Sequence, residues 1–144
     1  MNGKNGPMEF EFDDDPSRIQ VDAVWQWLST EAYWGTTRTR ADFEAQLTSA
    51  WRVVGVYRRD TGDQVGFARA VSDGVNFAYL ADVYVRAEHN GQGVARRMLS
   101  LMIDDGPGAG FRWTLFTRDA HTLYERFGFG APDETAMVRP AAQR

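Results

Sequence analysis

A chain of 144 residues has room for one domain around one core. A balance of 43% hydrophobic and 25% charged residues is that of an ordinary water-soluble globular fold. The formal net charge of −4 argues against sequence-independent nucleic-acid binding, which needs a basic footprint to displace phosphate counterions, and the absence of cysteine excludes disulfides, thiolate metal sites and a cysteine nucleophile. No apolar run reaches the roughly 18–20 residues that span a bilayer, and residues 1–7 lack the apolar stretch of a signal peptide. The expectation is a cytoplasmic protein in which residues 1–8 form an arm outside the fold, native or an expression scar, and residues 9–144 form a single domain. Arg96, Arg97, Arg112 and Arg118 make a local basic exception, for which solvated surface is the simplest account.

In chain order, Glu9-Phe10-Glu11-Phe12 alternates with a period of two and predicts a first strand. Val21, Val24, Trp25 and Leu28 recur at the spacing of an amphipathic helix. A second helix is expected after Thr39, whose hydroxyl can cap it with Asp42 three residues on, and Phe43 and Leu47 supply its buried stripe. From Trp51 the pattern changes to Val-rich and aromatic runs over residues 51–57, 64–71 and 77–85, separated by Asp60-Thr61-Gly62-Asp63 and Ser72-Asp73-Gly74 turns. These predict an antiparallel meander. A helix over residues 93–104 buries Val94, Met98, Leu101 and Met102, and Gly106-Pro107-Gly108-Ala109-Gly110 ends it. A short strand over 113–116, a short helix over 120–127 and a last strand near Met137 and Val138 complete the order. The unit around residues 77–116 is long enough for a right-handed parallel crossover. The predicted fold is therefore an α/β (α+β) layer domain, a mixed sheet with helices on both faces.

Chemistry concentrates at the junction between the third meander strand and the long helix, Asn90-Gly91-Gln92-Gly93-Val94-Ala95-Arg96. Glycine lets backbone approach a ligand closely. The first helical turn carries unpaired N–H groups and the positive end of the dipole, so the junction suits a phosphate or pyrophosphate. A nucleoside-triphosphatase loop would need Gly-Lys followed by Ser or Thr, and a dinucleotide fold would need a third glycine after the first strand of a parallel unit; neither is present. Two glycines also fit an ordinary strand–helix turn. The histidines, His89 and His121, show no metal-ligand spacing, so no metal is expected.

The segment from Val83 to Leu99 closely resembles motif A of the GNAT superfamily of acyl-CoA-dependent N-acetyltransferases. That signature runs Arg or Gln, two residues, Gly, one residue, then Gly or Ala. Here Asn90 stands at the first position and Gly93 and Ala95 at the last two. Asp119-Ala120-His121-Thr122-Leu123-Tyr124-Glu125-Arg126-Phe127-Gly128-Phe129 looks like the family's A-x-x-L-Y-x-x-x-G-F segment, with Thr117 where the family usually has Asn. Tyr33-Trp34 and Val65-Gly66-Phe67 also sit where many bacterial members have similar residues, so the resemblance covers roughly residues 20–139.

The resemblance implies a GNAT-like, mostly antiparallel sheet in which the parallel strands 77–85 and 113–116 splay to admit acetyl-CoA as cosubstrate. It implies that a bulge frees main-chain groups of Val83 and Val85 for the pantetheine amides, with Thr117 beside them. The N–H groups of Gly91, Gln92, Gly93, Val94, Ala95 and Arg96 would wrap the pyrophosphate, with the Arg96 side chain adding charge at its edge and Asn90 holding the motif's first position with a shorter amide. Tyr124 matches the family's general acid, although Ala120, Leu123, Tyr124 and Phe127 also form a helical core stripe. Asp82 and Glu31 are candidate bases, and each is also an ordinary structural or surface carboxylate. Tyr33, Trp34 and Tyr84 are candidates to line a pocket for an apolar or cationic amine. The implied reaction is acetyl transfer to a primary amine, on a small molecule or peptide. The departures at Asn90 and Thr117 keep open a non-catalytic acyl-CoA-binding or regulatory domain of the same fold. Neither nucleic acid nor membrane is an expected partner, and a homodimer paired through C-terminal strands is an open option.

Overall fold

The computed structural model describes residues 9–32 and 37–142. Its elements are β1 (Phe10–Asp13), α1 (Val21–Thr30), α2 (Arg40–Ser49), β2 (Arg52–Arg58), β3 (Gln64–Ser72), β4 (Phe77–Val85), α3 (Val94–Met102), β5 (Arg112–Thr114) and α4 (His121–Glu125). The strands lie in sequence order in one five-stranded sheet. β1 to β4 are antiparallel to their neighbours, and β5 is parallel to β4, reached through α3. This is the mixed, mostly antiparallel α/β architecture that the sequence predicts.

The hairpins follow from local chemistry. Gly62 and Gly74 take φ of 78° and 76°, a left-handed conformation that side chains resist. At the second turn the Asp73 carboxylate accepts from the N–H groups of Val75, Asn76 and Phe77, closing the bend before β4. The start of α2 carries the predicted capping box: the Thr39 hydroxyl accepts from the Asp42 N–H at 3.0 Å, and the Asp42 carboxylate accepts from the Thr39 N–H at 3.3 Å.

Alternation along the central strands sends side chains into two cores. Val53 and Phe67 join Val24, Trp27, Leu28 and Phe43 beneath α1 and α2. Val54, Val56, Ala68 and Ala70 pack with Val94, Met98, Leu99 and Met102 beneath α3. Each such large side chain contributes about 1.5–3 kcal/mol by leaving water. Leu99 is fully buried and Leu101 only half-buried, so the core face of α3 is rotated slightly from the predicted stripe. The C-terminal carbonyls of α3 find a partner outside the helix. Arg52 of β2 donates from Nη2 to Leu101 O at 2.7 Å and from Nε to Met102 O at 3.3 Å, and pairs with Asp14 at 2.8 Å.

One irregularity positions the site. β3 and β4 pair Arg69 with Asp82 and then Ala70 with Leu80, which leaves Ala81 as an extra residue in β4. The bulge reverses the strand's phase. Leu80 faces the α3 core, whereas Tyr84, four residues on, packs against the α1 core.

The strand expected near Met137 and Val138 is not formed. Those side chains are 95% and 66% exposed, and β5 remains the edge of the described sheet. Pro132 and Pro140 flank them without N–H donors, and two isolated apolar residues bury too little to hold an edge pairing. The described residues thus hold no C-terminal strand through which two chains would pair. Among them, no helix is long and apolar enough to cross a membrane.

Candidate active site

β4 and β5 are paired only from Phe77 with Arg112 to Tyr79 with Thr114. Beyond that point they part, and a cleft of about 1020 Å³ opens between them. Its walls come from both layers: Arg38 and Gln46 at α2 on one side, Ala95, Leu123 and Tyr124 of α3 and α4 on the other, with Ala81 at the parting point. The N–H of Arg86 donates to Val65 O at 2.9 Å, toward β3. Successive residues of an antiparallel strand alternate in direction, so Val85 and Val83 turn their main-chain N–H and C=O groups into the cleft. Both residues line it. The bulge at Ala81 and the unpaired stretch after Tyr79 leave these main-chain groups without a strand partner.

The loop after β4 forms a short 3-10 turn over Ala87–His89 and then enters α3. Gly91 and Gly93 take φ of 79° and 78°, and Gly93 is the N-cap of α3. No side chain caps the first turn, so its N–H groups are available to an anion, and the helix dipole adds positive potential there. Val94 is buried and anchors the turn to the core, while Asn90 and Ala95 border the cleft. Gln92 is turned back toward the 3-10 segment, 3.5 Å from Glu88 O and 3.3 Å from His89 Nδ1. The Arg96 side chain is exposed at the mouth of the helix. The cradle is therefore mainly backbone, which fits a pyrophosphate without any one side chain's being essential.

Tyr124 lies in the α3 core at 8% exposure, borders the cleft, and meets Phe129 edge-on with ring centroids 6.0 Å apart. Thr117 also borders the cleft, and its hydroxyl accepts from the Ala120 N–H at 3.1 Å. That bond shapes the turn into α4 and so sets the position of Tyr124.

The two candidate bases are placed differently from each other. Asp82 borders the cleft but is 2% exposed and held between two guanidinium groups. Arg38 donates to it from Nη1 and Nη2, each at 3.1 Å, and Arg69 donates from Nε at 2.7 Å. Burial pushes its pKa up, but the hydrogen bonds and charges of Arg38 and Arg69 outweigh that and hold it below the usual carboxylate value. An ionised carboxylate so stabilised is a poor proton acceptor. Glu31 lies outside the cleft lining; it accepts from the Tyr84 hydroxyl and pairs with Arg86 at 3.5 Å. Tyr84 is with it, stacked on Trp27 at 5.7 Å, and burial together with the Glu31 bond pushes its phenol up to about 12. The structure thus gathers Val83, Val85, Asn90, Ala95, Thr117, Tyr124 and Asp82 around one cleft and leaves Glu31 and Tyr84 apart from it. Tyr33 and Trp34 lie outside the described residues.

Arg38, Arg69 and Gln46 are site residues that the sequence reading missed. Arg69 had a signal, being a charge in the middle of an otherwise apolar strand, Val65-Gly66-Phe67-Ala68-Arg69-Ala70-Val71. Arg38 had none, because its partner Asp82 is 44 residues away. No group of three or more His, Asp or Glu able to hold a metal occurs among the described residues.

Comparison with known proteins agrees with this fold. The family model for the acetyltransferase (GNAT) family matches residues 21–129. A curated Gibberella zeae protein with a provisional acetyltransferase assignment is 33% identical over an alignment 104 residues long that covers 61% of this chain and 59% of that relative's length. A crystal structure from Xanthomonas campestris pv. campestris, provisionally assigned as an acetyltransferase of the same family, is 31% identical with a TM-score of 0.82, covering 92% of this chain and 93% of that one. A Staphylococcus aureus structure described as a probable acetyltransferase shares the fold at 20% identity and a TM-score of 0.74, covering 93% of this chain and 99% of that one.

Proposed function

The chain belongs to the acetyltransferase (GNAT) family, and from that premise we propose that it acetylates a primary amine by direct attack on acetyl-CoA, with Tyr124 as the general acid. The observation that carries this reading is the single cleft at the parting of β4 and β5, with Tyr124 on one wall and the uncapped start of α3 beside it. Bound acetyl-CoA supplies an activated thioester; the remaining work belongs to the chain.

The N–H groups from Gly91 to Arg96 hold the pyrophosphate, with Asn90 at the edge of the cradle. The main-chain groups of Val83 and Val85 align the pantetheine arm, and Thr117 sets the opposite wall. An N–H of the parted stretch of β4 donates to the thioester oxygen as negative charge develops there. A neutral amine adds through its lone pair to the carbonyl carbon, the C–S bond breaks, and the departing sulfur takes the phenolic proton of Tyr124. The proton shed by the nitrogen passes to water in the cleft and restores the phenol. Proximity and orientation supply much of the rate, since the reaction needs no covalent enzyme intermediate. Asp82 serves in this scheme as the anchor of Arg38 and Arg69, and not as the base, because its charge is already stabilised.

Titration with acetyl-CoA and an assay of CoA thiol release over an amine panel test the reading. Tyr124→Phe should lower kcat by about 10²–10⁴-fold and leave acetyl-CoA affinity within about twofold. Equal turnover by the two proteins removes Tyr124 from the mechanism. Cofactor binding with no CoA release from any amine favours the non-catalytic binding domain.

A further inference from the structure

One wall of the cleft carries two buried cations around one buried anion. Arg38 and Arg69 are 10% and 8% exposed at the side chain, and the carboxylate between them, Asp82, is 1% exposed. Two guanidinium groups thus share one buried anion. Arg38 is further fixed by Gln46, whose amide oxygen accepts from Nη1 at 2.8 Å. Arg69 is held through Nε; among the described residues its two Nη groups have no hydrogen-bonding partner, and both Arg38 and Arg69 border the cleft. The other charged residues on the lining are Asp42, which is half-buried, and Arg118 and Asp119, which are exposed. Asp42 is tied to the start of α2 through the Thr39 N–H, and exposed charges are screened by salt in a way that buried ones are not.

We infer that Arg38 and Arg69 form a carboxylate subsite of the acceptor pocket, so that the amine acetylated is an amino acid or a related small amino-carboxylate. This deepens the acetyl-transfer reading and rests on it. A guanidinium presents a planar fork of donors that matches a carboxylate bidentately, and Arg69 is pre-organised for this by its bond to Asp82. The location suits a short acceptor. Arg69 lies directly across from Asp82, beside the bulge and one residue before Val83. From Tyr79, where β4 and β5 part, to Asp82 is about 10 Å of strand, within reach of a molecule holding its amine at the parting point and its carboxylate at Arg69. The chain's overall acidity points the other way, toward cationic acceptors, but net charge steers encounter at long range while buried neighbours decide what is held.

The test compares matched acceptors that differ by one carboxylate: L-phenylalanine with phenethylamine, 4-aminobutyrate with propylamine, and lysine with cadaverine. CoA release is followed and corrected for the neutral amine fraction. The wild-type protein should favour the carboxylated member of at least one pair by about 10–100-fold in kcat/KM, the worth of a charge-assisted contact. Arg69→Gln should reduce that preference to near unity, and Arg69→Lys should fall between. Equal or better use of the uncarboxylated amines in every pair overturns the inference while leaving acetyl transfer intact, as does an Arg69→Gln loss equal for both members. If no amine releases CoA, calorimetric binding of the same pairs to the CoA-saturated protein decides. Carboxylate-dependent binding abolished in Arg69→Gln supports the subsite and refutes acetyl transfer to these amines; binding that ignores the carboxylate, or none at millimolar ligand, overturns the subsite. Should Arg69→Gln fail to bind CoA and so report misfolding, the wild-type comparison alone decides.

Discussion

Replacing Asp82 by asparagine keeps the side chain's shape and removes the carboxylate held between Arg38 and Arg69. The contacts at stake are 2.7 Å to Arg69 Nε and 3.1 Å to each of two Arg38 nitrogens, in a site where the Asp82 side chain is 1% exposed. At an effective dielectric near 20, each cation at such a distance is worth about 4 kcal/mol or somewhat more to the anion. Desolvation of the carboxylate and mutual repulsion of the two guanidiniums oppose this, and losing one partner of a buried ion pair costs about 3–5 kcal/mol net. That is a large share of the roughly 5–15 kcal/mol that holds a domain folded, and it corresponds to a fall in melting temperature on the order of 10–20 °C. Urea and thermal denaturation at pH 7, alongside turnover, are the assays. The pH dependence has a definite sign. The folded pKa of Asp82 lies below its unfolded value, so its contribution is fully present above about pH 4 and is lost as pH falls through the folded pKa. The parent should therefore converge on Asp82→Asn in stability under acid, and the gap should reopen on return to neutral pH. A variant within about 1 kcal/mol of the parent at pH 7 whose turnover nonetheless collapses would refute the ion-pair argument and return Asp82 to proton transfer.

Other consequences are equally specific. Gly93→Ala places a side chain at φ 78° on the N-cap of α3, so strain of about 1–2 kcal/mol should distort the cradle and weaken acetyl-CoA binding about tenfold by calorimetry. Melting temperature measured in the same samples separates that loss from a global one. The Tyr57 hydroxyl is buried without a partner among the described residues, and burial pushes its phenol up to about 12. Tyr57→Phe should therefore stabilise the fold by about 1 kcal/mol in urea, and a loss of that size would mean an overlooked partner. Its neighbour Gly55 has no room for a side chain, since an added Cβ would stand 2.3 Å from that hydroxyl oxygen. Gly55→Ala should destabilise by about 1–3 kcal/mol, measurable by the same denaturation.

Sequence by itself determined whatever depends on near neighbours. Val-rich and aromatic runs bounded by Asp- and Gly-containing turns set β2, β3 and β4 nearly to the residue, because a strand covered on both faces reads as a short continuous apolar run. The Thr39 and Asp42 capping box and the Gly91 and Gly93 turn were legible for the same reason, each bond or dihedral closing within a few residues. The short helix around Tyr124 was legible because its apolar spacing is that of a single helical turn. Only the tertiary structure decided what joins distant positions. Ala81's extra place in β4 turns Asp82 away from Leu80's core and into the reach of Arg38 and Arg69, which are 44 and 13 residues away along the chain. No local pattern distinguishes such a buried, doubly paired carboxylate from a candidate base. Arg52 caps α3 across 49 and 50 residues for the same reason. The stretch at Met137 and Val138 reads as a strand by composition, yet a strand needs an edge to pair with and a core to cover, and the fold offers it neither.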